Sequence, residues 1–314
     1  MQTHRYAALP RKGSPLRLGR KIWKHRAFYL LLLPAVAYVI LFCYTPMYGL
    51  QIAFKDYKGA LGIAGSRWVG LKHFRSFFNS YNFLQLLRNT LALSLYSLAA
   101  GFPLPILLAL LLNETKSRFK RFSQTVLYAP HFISMVVMVG MLNTLFSPSM
   151  GVINTLREAL GMERYYYMAQ PSAFRHLYVW SGVWQNIGWD AVIYLAALSA
   201  VDPSLHEAAM IDGASRIQRI THINLPTILP TIVILFIMAV GRVASVGYEK
   251  VYLLQNDLNV DVSEVISTYV YKRGVLNSNY SFSTAVGLFN NVVNIALLLM
   301  ANFISRRLGE TSLF

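Results

Sequence analysis

The chain has 314 residues, 55% of them hydrophobic and 13% charged, with a positive mean hydropathy and a formal net charge of +16. That balance falls outside the range of soluble domains and predicts an all-α polytopic membrane protein. Nucleic-acid binding would need basic and aromatic residues interleaved on one folded surface; here the cations gather in tails and loops, and that class is set aside.

In chain order, residues 1–27 form a basic tail with Arg5, Arg11, Lys12, Arg17, Arg20, Lys21, Lys24 and Arg26. The apolar run from Phe28 lasts about 23 residues, enough for a bilayer. No small-x-small cleavage site precedes Pro46, so a retained first span at about 28–50 is predicted rather than a signal peptide. Cys43, the single cysteine, lies within it and can form no internal disulfide. Further spans are expected at about 86–112 and about 124–146, separated by a loop holding Lys116, Arg118, Lys120 and Arg121. The 147–173 loop carries a short helical stretch, GVINTLREALG, followed by Tyr165, Tyr166 and Tyr167.

A fourth span at about 174–199 is unusually polar and aromatic. Trp180, Trp184 and Ile187 recur at helical spacing, while Gln185, Asn186, Trp189 and Asp190 occupy other faces. The stretch EAAMIDGASRIQRITHINLP then interrupts the apolar pattern at 207–226. Ser204 as N-cap with Glu207 three residues later reads as a capping box, with Pro203 just outside. Gly213 supplies a position where φ can turn positive, which predicts two short helices joined by a glycine elbow. Ala208 and Ala209 remove bulk, so another surface can approach closely. Pro226 opens a fifth span at about 227–247, where its missing N–H costs little.

Asp190 and Arg242 are the ionisable residues deepest within spans, and such groups face a protein interior or an aqueous cavity. At 1.5 Å per residue their depths differ by about 10 Å, so a direct pair needs helix tilt or shifted span boundaries. The 248–280 loop holds Tyr248, Glu249, Lys250, Tyr252, Tyr269 and Tyr271. In a sixth span at about 281–304, Asn290, Asn291 and Asn294 either line a cavity or join helices. A short tail, 305–314, follows. Sixteen of the 29 cations fall in the two tails and in the loops after spans two and four. The positive-inside rule therefore makes both termini and the 202–226 loop cytoplasmic.

Glu-Ala-Ala, three residues, Gly, nine residues and then Ile223-x-Leu225-Pro226 resembles the EAA loop of binding-protein-dependent ABC importer permeases. PMYGLQIAFKDY, GFPLPILLALLLNE, YAPHFIS, IYLAALSAVDPSLHEAAMIDGA and YSFSTAVGLFNNVVN are similar to the oligosaccharide and polysaccharide subgroup, the LplB-like permeases. The resemblance implies a six-span type I importer permease at 28–304 in a bacterial cytoplasmic (inner) membrane. It further implies a second related permease, an ATPase dimer and an extracytoplasmic solute-binding protein that meets the outer loops. Glu207, Ala208, Ala209, Asp212, Gly213, Ile223, Leu225 and Pro226 would dock on the ATPase, which binds ATP and Mg; closure of the ATPase pair would tilt spans four and five. The ATPase must be a separate chain, because no G-x-x-x-x-G-K-[ST] loop occurs here.

Trp184, Gln185, Asn186, Trp189, Asp190, Arg242 and the three asparagines are the candidates for a saccharide path, since aromatic rings stack on sugars and polar side chains satisfy hydroxyls. An interfacial aromatic belt is the better account of Trp180, and for Trp184, Gln185 and Asn186 both readings stand. A secondary carrier needs no EAA loop. A membrane enzyme needs a nucleophile, metal cluster or carboxylate pair, and the histidines lack ligand spacing such as H-E-x-x-H. No cofactor is expected in this chain, and nothing in the sequence selects the saccharide.

Overall fold

The computed structural model describes residues 23–307 and 312–313. Most of the predicted basic tail, and residues 308–311 and 314 of the C-terminal tail, lie outside the described residues. The chain divides into two compact units, Met1–Gln51 and Ile52–Phe314.

The first unit is dominated by α1, Arg26–Val39, whose sequence RAFYLLLLPAVAYV is apolar on every face. Pro34 lies inside it, a substitution that membrane helices tolerate better than soluble ones. The helix continues through a wider turn at Ile40–Tyr44 and a tighter one at Thr45–Phe54, making a run of 29 residues. Thr45 Oγ1 donates to the Ile40 carbonyl at 3.0 Å, across the change of pitch.

The second unit begins with a two-residue antiparallel ribbon, β1 Lys55–Asp56 on β2 Arg67–Trp68, followed by α2, Lys72–Phe78. α3, Phe83–Gly101, runs almost directly into α4, Pro103–Asn113; Pro103 falls in the first turn of α4, where no N–H is needed. α5, Ser117–Tyr128, and α6, Met135–Leu145, were expected as one span, but they meet at a 98° bend. Two local features account for the break. Pro130 removes a helical donor, and Ser134 is extended and starts α6 afresh by accepting a hydrogen bond from Val137 N at 3.3 Å.

The stretch after the bend contains α7, Val152–Ala159, in the place GVINTLREALG predicts. α8, Pro171–Leu198, is the 28-residue helix around which the unit is organised. The 202–226 region supplies α9, Pro203–Ile211, and α10, Arg216–Arg219. A wide turn at Ile220–Asn224 joins α10 to α11, Leu225–Val240, so the helical run is 25 residues and begins before Pro226. α15, Tyr280–Arg307, closes the unit. Between α11 and α15 stand three short helices: α12, Tyr248–Leu254; α13, Val260–Ser263; and α14, Ile266–Tyr271. This segment is no loose outer loop. Val251, Leu254, Val265, Ile266 and Tyr269 are buried in the cores.

Three apolar clusters hold the second unit together. One joins Leu93 of α3, Val139 of α6, Phe174 and Val179 of α8, and Val251 and Leu254 of α12. Another joins Ala109, Leu110 and Leu112 of α4 to Ala191, Tyr194, Leu195 and Leu198 of α8 and Ile228 of α11. The third gathers Phe77, Leu86, Ile266, Tyr269, Phe282 and Val286. α8 enters two of the three. Among the described residues, four helical runs are long and apolar enough to cross a membrane, or five if the bent α5–α6 pair counts as one. α8 is long enough but is not among them, because its polar side chains lower its hydropathy.

Candidate coupling and translocation sites

The glycine elbow forms as the spacing predicts, with one correction at its start. Asp202, not Ser204, is the N-cap: its side chain accepts from Ser204 N at 2.9 Å, and Pro203 occupies the first helical turn. That backbone hydrogen bond, helped by the Ser204 side chain, holds the Asp202 carboxyl below the usual carboxylate range. At the other end, Ala214 N donates to Ala209 O at 2.8 Å and Gly213 N to Met210 O at 3.1 Å. These are the paired bonds of a Schellman stop, with Gly213 at φ +76° as the left-handed residue. The capping box lies one helix later, where Ser215 and Gln218 bond reciprocally at 3.3 and 2.8 Å.

Both turns of this segment are therefore fixed by local bonds, while its surface stays open. Glu207, Ala208, Asp212, Gly213 and Pro226 are exposed; Ala209, Ile223 and Leu225 are half-buried. Glu207 makes none of the ion pairs found among the described residues. Ile211 and Ile217 are 87% and 73% exposed, giving the segment apolar contacts to offer as well as charge.

The path candidates fall into three groups. Trp189, Asp190 and Arg242 line one cavity of ≈ 700 Å³ between α3, α4, α8 and α11. Asp190 and Arg242 share this cavity without forming an ion pair among the described residues. α11 ends at Val240, so Arg242 lies in a turn beyond the helix. Gln185 and Asn186, again with Asp190, line an adjoining cavity of ≈ 380 Å³ whose far wall carries Glu249 and Lys250. Ser97, Gly101, Tyr178, Asp190 and Gly247 are common to both cavities.

The walls are held by polar contacts. Gln185 is buried and donates to Ile133 O at 2.8 Å, which fastens α8 to the bend between α5 and α6. Asn186 pairs with His131 Nδ1 at 2.9 Å and donates to Gly182 O at 3.0 Å. The His131 ring stacks on Trp189, centroids 4.5 Å apart and planes 2° from parallel, covering one indole face. Lys250 had been placed among outer-loop residues; it is buried, donates to Tyr178 O at 2.7 Å and stands 4.7 Å from the Tyr178 ring centre.

Trp184 turns away from these cavities into a separate apolar groove of ≈ 570 Å³ with Trp180, Met138 and Leu145. Trp180 Nε1 donates to Tyr96 Oη at 2.9 Å, so its indole is tied to α3. Two asparagines of α15 act as helix glue. Asn294 accepts from Ala244 N at 3.0 Å and donates to Ser245 Oγ at 2.6 Å, and Asn290 reaches the same hydroxyl at 3.5 Å. Asn291 is exposed on α15 and lines none of these cavities.

Residues 101–310 match the family described as binding-protein-dependent transport system inner membrane component. The polygalacturonan/rhamnogalacturonan transport system permease protein YteP of Bacillus subtilis (strain 168) is 44% identical over 309 residues, 98% of this chain and 96% of YteP. The chain belongs to this family of transporter permeases. Protein LplB of the same organism is also similar to the permease, 44% identical over 287 residues, 91% of this chain and 90% of LplB. A solved bacterial ABC transporter involved in the import of the acidic polysaccharide alginate contains a chain 42% identical to the permease. It superposes with a TM-score of 0.85 and covers 93% of this chain and 99% of that one. A second structure, of the alginate transporter in complex with alginate pentasaccharide-bound periplasmic protein, gives 41% identity and a TM-score of 0.86, covering 95% and 100%. The permease therefore has the ABC importer permease fold and is a multi-pass membrane protein.

Proposed function

We propose that the permease is a membrane-spanning subunit of an ATP-driven importer of oligosaccharides or polysaccharides, and that uronide-containing chains are its foremost candidates. The observation that carries this reading is the course of α8. Its middle lines the two adjoining cavities through Gln185, Asn186, Trp189 and Asp190, and its end leads within five residues into the exposed segment bearing Glu207 and Gly213. One helix thus connects a saccharide-sized cavity, mainly apolar but set with polar and aromatic side chains, to the proposed docking surface. Trp189 keeps an indole face for a sugar ring, and the Arg242 fork suits a carboxylate. The names of YteP and of the alginate importer support a saccharide, and an acidic one in particular.

In this reading six segments span the bacterial inner membrane: the α1 run, α3–α4, the bent α5–α6 pair, α8, α10–α11 and α15. The cation bias puts both termini in the cytoplasm. A partner ATPase dimer holds ATP and Mg and seats the 202–226 segment, a second related permease completes the pore, and a solute-binding protein delivers the sugar from outside. Substrate faces the cavity only while ATP-driven tilting of α8 and α11 opens it outward, and hydrolysis restores the inward state.

The test is reconstitution of the complete transporter in proteoliposomes. Galacturonide, mannuronide and neutral oligosaccharides are each offered through the cognate binding protein. ATP-dependent uptake of a saccharide, with uronides preferred, is expected. ATP-independent flux by the isolated chain would establish a secondary carrier instead, and a binding protein that holds a peptide or amino acid would overturn the substrate class.

A further inference from the structure

We propose that Glu114 is a positioning residue for transport: it fastens the coupling segment to α4, so that displacement of the segment is carried along α4 into the cavity wall. The proposal rests on the functional reading above. Glu114 is the C-cap of α4. Its Oε2 lies 3.7 Å from an Arg219 terminal nitrogen, and its Oε1 accepts from Asn224 Nδ2 at 3.4 Å. Arg219 closes α10 and Asn224 precedes α11, so one carboxylate holds the coupling segment at two points. The site is enclosed: the Arg219 and Glu114 side chains are 15% and 19% exposed, and Asn224 is fully buried.

A carboxylate this far out of water is held there by its partners, and those partners all belong to the coupling segment. The joint is also incompletely satisfied. Arg219 Nε is a buried donor and Asn224 Oδ1 a buried acceptor, and neither has a hydrogen-bond partner. Around a single carboxylate there is thus a donor and an acceptor each lacking one bond. A joint with room to re-pair suits an element that changes state.

The mechanical continuation runs through α4. Ala109, Leu110 and Leu112 pack against Ala191, Tyr194, Leu195 and Leu198 of α8. At the opposite end from Glu114, Phe102 and Pro105 line the larger cavity beside Asp190 and Arg242. α4 therefore reaches from the coupling segment to the cavity in about 17 Å of helix. This is a second route for the movement, parallel to the covalent one through α8.

The test uses the complete transporter in proteoliposomes with galacturonide and mannuronide oligosaccharides offered through the binding protein. The readout is uptake per ATP hydrolysed. Glu114→Gln is expected to assemble in wild-type amount and to lose at least five-fold in this ratio. Glu114→Arg is expected to lose more, and Glu114→Arg combined with Arg219→Glu to recover to within two-fold of wild type. A wild-type ratio in Glu114→Gln would overturn the proposal, as would a double variant no better than either reversal alone at equal assembly. A wild-type transporter without ATP-dependent uptake would instead overturn the functional reading, and this proposal with it.

Discussion

At the residue scale, the coupling segment separates what shapes it from what it presents. Gly213 shapes it: its φ of +76° is the left-handed position of the stop, and an added Cβ would meet nothing within 4 Å. Backbone conformation alone therefore selects glycine there. Gly213→Val should cost at least about 1–2 kcal/mol locally, because a β-branched residue at positive φ is a genuine outlier. The expected outcome is normal assembly with loss of coupled ATP hydrolysis, measured as stimulation of the purified transporter by loaded binding protein. Glu207 is what the segment presents. It is exposed and engaged in no ion pair among the described residues, so Glu207→Lys should leave the fold untouched and, on the proposed reading, would place a like charge against a basic residue of the ATPase. Transport should be abolished, with loss of several kcal/mol in docking; a Glu207→Lys transporter that hydrolyses ATP in step with uptake refutes the assignment.

At the scale of elements, contacts between helices decide what a pattern of residues in one helix leaves open. The long apolar helical runs and the glycine elbow were legible because they depend on local composition and spacing. The bend between α5 and α6 was not, although Pro130 and Ser134 were in view, since apolar side chains continue through it on both sides. The 248–280 segment misled for the opposite reason. Its tyrosines and charges read as outer surface, yet Lys250 is stabilised in the interior by a carbonyl and a ring contributed by α8. Arg242 and Asp190 share a cavity because α11 stops at Val240, beside Gly241, and they form no ion pair among the described residues. Asn294 illustrates how two open readings separate. Its Oδ1 accepts from Ala244 N in the broken backbone, and its Nδ2 donates to the Ser245 hydroxyl. Asn294→Leu leaves Ala244 N without that partner and should destabilise the permease by about 1–3 kcal/mol, seen as a lower Tm of the detergent-purified protein. An unchanged Tm would return Asn294 to the list of path residues.

At the scale of the whole molecule, the family fold and the membrane character were readable from composition and one spaced motif. The cavity was only partly readable: Trp189, Asp190 and Arg242 were singled out, while the wall contributed by α3 and α4 was not. α8 meets α5 closely at Gly188: an ideal Cβ there would lie 2.2 Å from the Leu127 carbonyl oxygen and 2.9 Å from the Leu127 Cβ. Gly188→Ala should therefore force the two helices apart, with a loss of about 1–3 kcal/mol and a lower Tm than wild type; equal stability would mean the contact is slack. In the proposed tilting of α8, this close contact would serve as the fulcrum. The arm from Gly188 to Pro171 is longer than the arm to Leu198. A short stroke applied beside the EAA segment would thus emerge as a larger sweep at the far end of the helix, a gear ratio set by where a single glycine sits.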